Sequence, residues 1–164
     1  MSLYERYEQL LGLPYIEGKQ DCYGLVRNYY RMNYGLELGN YARPGDFAHA
    51  NLDLISDNFF NEGFKIVEVP LSNLDIGDGL LMQINGSPLV NHVAVYVGNN
   101  MILHHLYQGM SKEDDYSLRW KSRTVTVVRH PEISEANWKG LGTLDFMQVL
   151  KDDDALPPQI AGAE

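Results

Sequence analysis

The period of the hydrophobic pattern changes near Gly63, and this change limits the fold more than any other feature of the sequence. Before it, apolar residues recur at helical spacing. After it, they fall into short extended runs rich in β-branched residues. Helices followed by strands joined through tight turns predict an α+β domain. We therefore expect N-terminal helices packed on an antiparallel β-sheet of about five strands.

The predicted elements follow from capping and turn residues. Three helices are expected. The first covers 3–11, the second follows an N-cap at Asp21 and ends near Gly35, and the third follows an N-cap at Asp46. Strands are expected over 64–69, 80–84, 92–97, 101–105 and 123–129. This predicts one domain over 1–130. The extension 131–164 is expected to hold a helix over 138–150 and a flexible acidic tail.

The net charge of the chain limits the classes of partner that it is expected to bind. The net charge of −9 argues against nonspecific binding to nucleic acid or to an anionic membrane, since both need clustered Lys and Arg. No apolar run is long enough to span a bilayer, and the first ten residues lack the apolar stretch of a signal peptide. We expect no nucleic acid partner, no membrane insertion and synthesis in a cytoplasm.

Cys22 is the only cysteine, so an internal disulfide and a multi-cysteine zinc module are excluded. It falls in the first turn of the predicted second helix. Unpaired N–H groups and the helix dipole there favour a thiolate, which is the nucleophilic form. The alternative is a small buried residue packed inward beside Leu25. The helix start alone does not decide between these two interpretations.

Histidines on two neighbouring predicted strands supply candidate bases. His92 begins a strand, where a rigid backbone would hold a general base in place. His104 lies on the returning strand and could fix the tautomer of His92; His105 should face the other way and is the alternative. Each could instead be a structural histidine. A zinc site from Cys22, His92 and His104 is a rival hypothesis, but the sequence lacks the usual ligand spacings. We expect no cofactor and no metal.

The segments DCYGLV, IGDGLLM and HVAVYVGNNMILHH together resemble the NlpC-type papain-like cysteine peptidases. The resemblance implies a papain-like fold with Cys22 as nucleophile, His92 as base and His104 as the orienting residue. Tyr15 would line the site, as a tyrosine often does in this family. Asp21 belongs to the motif and is interpreted here as the helix cap.

Tyr23 departs from the family pattern, which usually has serine at this position. An aromatic side chain beside the nucleophile is expected to reshape substrate access. We expect Tyr15, Asp21, Tyr23 and His105 on the substrate side of the site.

The longer segment DCYGLVRNYY resembles the phage tail assembly branch of the family, the lambda K type. This predicts a tail endopeptidase that cleaves peptide or isopeptide bonds in peptidoglycan stem peptides. It would act in the virion tail or in the host cytoplasm during assembly, with tail proteins as partners. Two alternatives stay open: a maturation protease or amidase acting on tail proteins, and a structural component with a vestigial site.

Overall fold

A computed structural model describes residues 7–41, 43 and 53–137. Its helices are α1 (Cys22–Tyr34), α2 (Leu54–Asn61) and α3 (Leu118–Lys121), with 3-10 turns at Glu8–Leu10 and Glu135–Asn137. Its strands are β1 (Lys65–Ile66), β2 (Gly79–Met82), β3 (His92–Gly98), β4 (Met101–His105), β5 (Ser111–Asp115) and β6 (Thr124–Arg129). Within these ranges no helix has both the length and the apolar character needed to cross a membrane.

The strands form one antiparallel sheet in the order β1-β6-β2-β3-β4-β5. Helices precede this sheet in the chain, so the α+β prediction is confirmed. β3 lies inside the sheet, between β2 and β4. Its alternate residues therefore pack into two layers: Val93 and Val95 belong to the core that includes α1, while Ala94 packs in the layer of Trp120.

Helix α1 begins and ends where its capping residues predict. Asp21 accepts a hydrogen bond from the Gly24 N–H, and Gly35 ends the helix in the left-handed region with φ of 65°. Leu25 and Val26 are buried against the sheet. Burial of an aliphatic side chain of this size contributes about 1.5–3 kcal/mol, so packing on β3 holds the helix in place.

The prediction of about five strands missed β5. Its sequence, SKEDD, has no apolar alternation, because an edge strand joins the sheet through backbone hydrogen bonds to one neighbour. Four of its five residues are charged, which protects a sheet edge from pairing with other chains. β5 also carries Asp114, whose carboxylate contacts His104 of β4.

Other boundaries also differ from prediction. α2 is capped by Asp53, and the predicted cap at Asp46 lies outside the described residues. The strand expected over 64–69 is only Lys65–Ile66, and the described part of the first predicted helix is the single turn Glu8–Leu10. The predicted helix over 138–150 and the acidic tail lie outside the described residues.

Candidate active site

Cys22 is the first residue of α1, and the loop before it packs closely against the first helical turn. The Asp21 carboxylate accepts the Gly24 N–H at 2.8 Å. A Cβ atom at Gly24 would lie 2.1 Å from the Lys19 carbonyl oxygen, which is far inside van der Waals contact. Only glycine fits there. The Asp-Cys-x-Gly spacing is therefore a steric requirement of this loop-to-helix junction.

Arg43 forms a buried ion pair with Asp21 that the sequence did not reveal. Its Nε lies 2.8 Å from Oδ2 of Asp21 and its Nη2 lies 3.0 Å from Oδ1. Nη2 also donates to the Gly18 carbonyl at 2.9 Å. Arg43 is 7% exposed and Asp21 is 6% exposed. Because both carboxylate oxygens of Asp21 are occupied inside the protein, its role here is to cap and brace the helix.

The thiol of Cys22 is partly buried at the contact between α1 and β3. Burial, with a smaller contribution from the Asp21 charge, raises the pKa of the thiol to about 12. The backbone N–H groups of Val93 and Tyr23 and the charge of Arg43 act in the opposite direction. The Tyr23 N–H in the first turn of α1 favours the thiolate, but burial outweighs it. The resting form is a neutral thiol.

A hydrogen bond from the Val93 N–H lowers the pKa of the Cys22 thiol, so the sulfur lies near the peptide unit that joins His92 to Val93. Seventy positions separate the two residues in the chain. The packing of α1 on β3 brings the candidate nucleophile to the strand end where the candidate base begins.

The imidazoles of His92 and His104 are joined by a hydrogen bond. Nε2 of His92 lies 3.0 Å from Nδ1 of His104, and both residues are buried. In the register of β3 and β4, Ala94 lies opposite His104, so His92 is its diagonal neighbour. The ring of Trp120 packs edge-on against His104 with centroids 4.8 Å apart. His104, and not His105, is therefore the histidine placed beside His92.

Asp114 extends this arrangement onto β5. Its Oδ2 lies 3.1 Å from Nε2 of His104 and 3.3 Å from Nζ of Lys112. Sequence reasoning missed Asp114 because β5 has no hydrophobic pattern to reveal the strand. The only usable signal in the sequence was its position nine residues after His105, a candidate site residue.

Burial determines the protonation of the imidazoles. It lowers the pKa of His92 well below the usual range, and the nearby His104 and His105 lower it further. Burial also lowers the pKa of His104 despite the hydrogen bond to Asp114. Both rings are therefore neutral at pH 7. A neutral imidazole can accept a proton, as a general base must.

Tyr15 and His105 form a separate aromatic pair. Their ring centroids lie 5.6 Å apart, and Nε2 of His105 lies 2.9 Å from the Gly109 carbonyl oxygen. Burial, followed by the charge of Asp21, raises the pKa of Tyr15. A cavity of about 480 Å³ opens beside this group and is lined by Pro14, Tyr15, Glu17, Tyr107, Gln108, Gly109 and Met110.

The assignment of Tyr23 to the substrate side is wrong. Its side chain is fully buried. Its hydroxyl donates to the Gly39 carbonyl at 2.9 Å, and its ring packs edge-on against Phe59 of α2. Tyr23, the residue after Cys22, turns into the core because α2 covers that side of α1. Tyr23 therefore cannot contact a substrate in this structure.

The described residues do not contain the ligand cluster that the alternative zinc site requires. Across residues 7–41, 43 and 53–137, no three His, Cys, Asp or Glu side chains are grouped as a metal ion would require. Cys22, His92 and His104 all fall within these ranges.

Comparison with known proteins agrees with the family resemblance of the motifs. The model of the NlpC/P60 family matches residues 12–129. The tail tip assembly protein K of Escherichia phage lambda is 36% identical over 121 residues, which cover 74% of this chain and 59% of that protein. The tail tip assembly protein K of Escherichia phage N15 is 32% identical over 129 residues, 76% of this chain and 50% of that protein. The chain thus spans only about half the length of these relatives.

Solved structures show the same fold at lower identity. An NlpC/P60 family protein from Bacillus cereus superposes with a TM-score of 0.51 at 20% identity, covering 75% of this chain and 37% of that one. The NlpC/p60 domain of the peptidoglycan hydrolase SagA superposes with a TM-score of 0.50 at 20% identity, covering 74% of this chain and 90% of that one. Both agree with the papain-like fold expected from the motifs.

Proposed function

Because this chain belongs to the NlpC/P60 family, we propose that it is a cysteine endopeptidase of a phage tail that cleaves a peptide or isopeptide bond in peptidoglycan stem peptides. The observation that carries this proposal is the position of the Cys22 sulfur against the first residues of β3, where His92 is hydrogen-bonded to His104. A helix-initial thiol beside an oriented imidazole is the arrangement that nucleophilic thiol catalysis requires.

In the proposed mechanism the reaction begins from a neutral thiol and a neutral imidazole. Nε2 of His92 is occupied by His104, so Nδ1 is the nitrogen left to accept the thiol proton. The sulfur attacks the carbonyl carbon while that proton moves to His92, and N–H groups in the first turn of α1 stabilise the oxyanion. The C–N bond then breaks and His92 protonates the leaving amine. Water hydrolyses the thioester and returns the proton to sulfur.

Peptidoglycan as the substrate rests on the resemblance of the motifs to NlpC-type cell-wall peptidases. The phage context rests on the two tail tip assembly proteins to which the chain is similar. We place the protein in the virion tail, or in the host cytoplasm during assembly, with other tail proteins as partners.

One observation favours a different role. Burial raises the pKa of the Cys22 thiol to about 12, which makes the free thiol a weak nucleophile at neutral pH. A catalytically inactive structural component of the tail would tolerate such a thiol. This is the competing proposal.

Digestion of purified sacculi tests the two proposals against each other. Sacculi of defined stem-peptide chemistry are incubated with the wild type, with Cys22→Ala and with Asp115→Asn, an exposed surface variant. Mass spectrometry of the soluble products identifies any bond that is cut. Release by the wild type and Asp115→Asn but not by Cys22→Ala supports the peptidase. No release by the wild type, together with a Cys22 unreactive towards iodoacetamide, supports the structural component.

A further inference from the structure

The second ring nitrogen of His104 has a partner of its own, which the catalytic proposal does not use. Nε2 of His104 lies 3.1 Å from Oδ2 of Asp114, on the opposite side of the ring from His92. We propose that Asp114 is a positioning residue that selects the tautomers of His104 and His92, and so leaves Nδ1 of His92 free to act as the base. This inference rests on the proposed function for its catalytic meaning, but not for its structural content.

The first step concerns the charge of Asp114. Burial by itself would raise the pKa of this carboxyl, but hydrogen bonds from His104 and Lys112 outweigh it and the pKa is lowered. Asp114 is therefore ionised at neutral pH, and an ionised carboxylate can only accept hydrogen bonds. The nitrogen that faces it, Nε2 of His104, must carry the proton.

The second step passes the constraint to His92. A neutral imidazole carries one proton, so Nδ1 of His104 is an acceptor when Nε2 is the donor. Nδ1 of His104 faces Nε2 of His92 at 3.0 Å, and this contact is a hydrogen bond only if Nε2 of His92 donates. The proton of neutral His92 is then on Nε2, and Nδ1 keeps its lone pair. Asp114 thus sets the state of an atom two hydrogen bonds away.

Without the Asp114 carboxylate, the donor and the acceptor in the hydrogen bond between His92 and His104 could exchange roles. His104 could carry its proton on Nδ1 and donate to Nε2 of His92, which would place the His92 proton on Nδ1. That tautomer cannot accept the thiol proton. In serine peptidases the loss of the orienting aspartate costs about 10⁴ in turnover through the same change of tautomer.

Among the groups around His104, Asp114 is the one that determines the tautomer of this histidine. His104 is fully buried and Trp120 covers its ring, so protein groups are its partners. Lys112 and Arg119 are the other charged groups that act on His104, and both are cations that oppose its protonation. Asp114 itself lies on the edge strand β5 with its side chain 31% exposed.

Nitrogen-15 NMR of the histidine rings tests the inference without any substrate. In the wild type at pH 7.5 we expect Nε2 to be protonated and Nδ1 unprotonated in both His92 and His104. Asp114→Leu, which removes the acceptor, should change the tautomer populations of both rings, and Asp114→Glu should restore them. Asp115→Leu, the next residue of β5 and an exposed one, is the matched control and should leave both rings unchanged.

Two results would overturn the inference: a proton on Nδ1 of His104 in the wild type, or identical ring spectra in the wild type and Asp114→Leu. The wild-type measurement stands even if a variant fails to fold. If the wild type cleaves sacculi, kcat should fall at least about tenfold in Asp114→Leu with KM little changed, and recover in Asp114→Glu. If it cleaves none while the ring spectra are as expected, the proposed function fails and the tautomer assignment holds.

Discussion

Nε2 of His92 lies 3.0 Å from Nδ1 of His104, although the two residues are twelve positions apart. The turn at Asn99 and Asn100, both with positive φ, returns the chain so that β3 and β4 pair with Ala94 opposite His104. Two imidazoles on diagonal positions of paired strands can meet in this way. The register of one hairpin thus decides which of two consecutive histidines reaches His92.

This geometry predicts unequal effects for the two consecutive histidines. His104→Leu should lower kcat on sacculi or muropeptides by about 10- to 100-fold, because His92 loses the partner that orients it. His105→Leu should lower kcat by less, since His105 contacts the Gly109 carbonyl and Tyr15 and not His92. Both rates are measured at equal folded fraction, checked by circular dichroism. Equal losses in the two variants would contradict the assignment.

The pH dependence of cleavage should follow His92. The reaction needs His92 in its neutral form, and burial lowers its pKa well below the usual value of 6.5. The acid limb of kcat/KM should therefore lie below pH 6.5, so cleavage persists in mildly acidic buffer. Initial rates between pH 4.5 and 8 on a soluble muropeptide, each compared with the folded fraction, provide the measurement. An acid limb above pH 6.5 would speak against His92 as the base.

Acid should also destabilise the fold. The pKa values of His92, His104 and His105 are all lowered in the folded protein, so the unfolded chain binds protons first as the pH falls. The free energy of unfolding should be largest above about pH 6.5 and should decrease as the pH drops below it. Urea titrations at pH 7.5, 6.5 and 5.5 measure this slope. His104→Gln should flatten it, and a wild type equally stable at all three pH values would refute the idea.

Two substitutions at Tyr23 separate core packing from substrate access. Tyr23→Phe loses one hydrogen bond, to the Gly39 carbonyl, and should cost about 0.5–1.5 kcal/mol of unfolding free energy. Tyr23→Ser, which restores the residue usual in the family, leaves a cavity against Phe59 and should cost about 3–5 kcal/mol. Urea denaturation measures both. KM should be unchanged in Tyr23→Phe, and a large change in KM would place the side chain at the substrate after all.

The ion pair of Arg43 and Asp21 should show strong coupling. Arg43→Gln leaves the Asp21 carboxylate buried and without its cation, which should cost about 3–5 kcal/mol of unfolding free energy. Adding Asp21→Asn should recover part of that loss, because the uncompensated charge is removed. A double-mutant cycle by urea denaturation gives the coupling energy. Strictly additive losses would mean that the two side chains do not act as a pair.

Part of this protein could be deduced from local patterns. Asp21 and Gly35 mark the limits of α1, because capping depends on residues within a turn of the helix end. The run HVAVYVG and the return MILHH identify β3 and β4, because alternation and turn residues are equally local. The motifs around Cys22 and His92 were sufficient to indicate the family.

Side-chain partners distant in the chain could not be deduced in the same way. Arg43 comes from a loop, and Asp114 lies on an edge strand without apolar residues, so neither belongs to a pattern. Tyr23 was misjudged because its direction depends on α2, whose packing on α1 is a tertiary contact.

The sequence by itself thus determined the order of elements, the helix that begins at Cys22 and the strand that begins at His92, because each depends on neighbouring residues. Only the tertiary structure decided that His104 and not His105 faces His92, that Asp114 completes the chain of hydrogen bonds, and that burial keeps the thiol neutral. Strand register and burial depend on the whole packed molecule, and no local stretch of sequence contains that information.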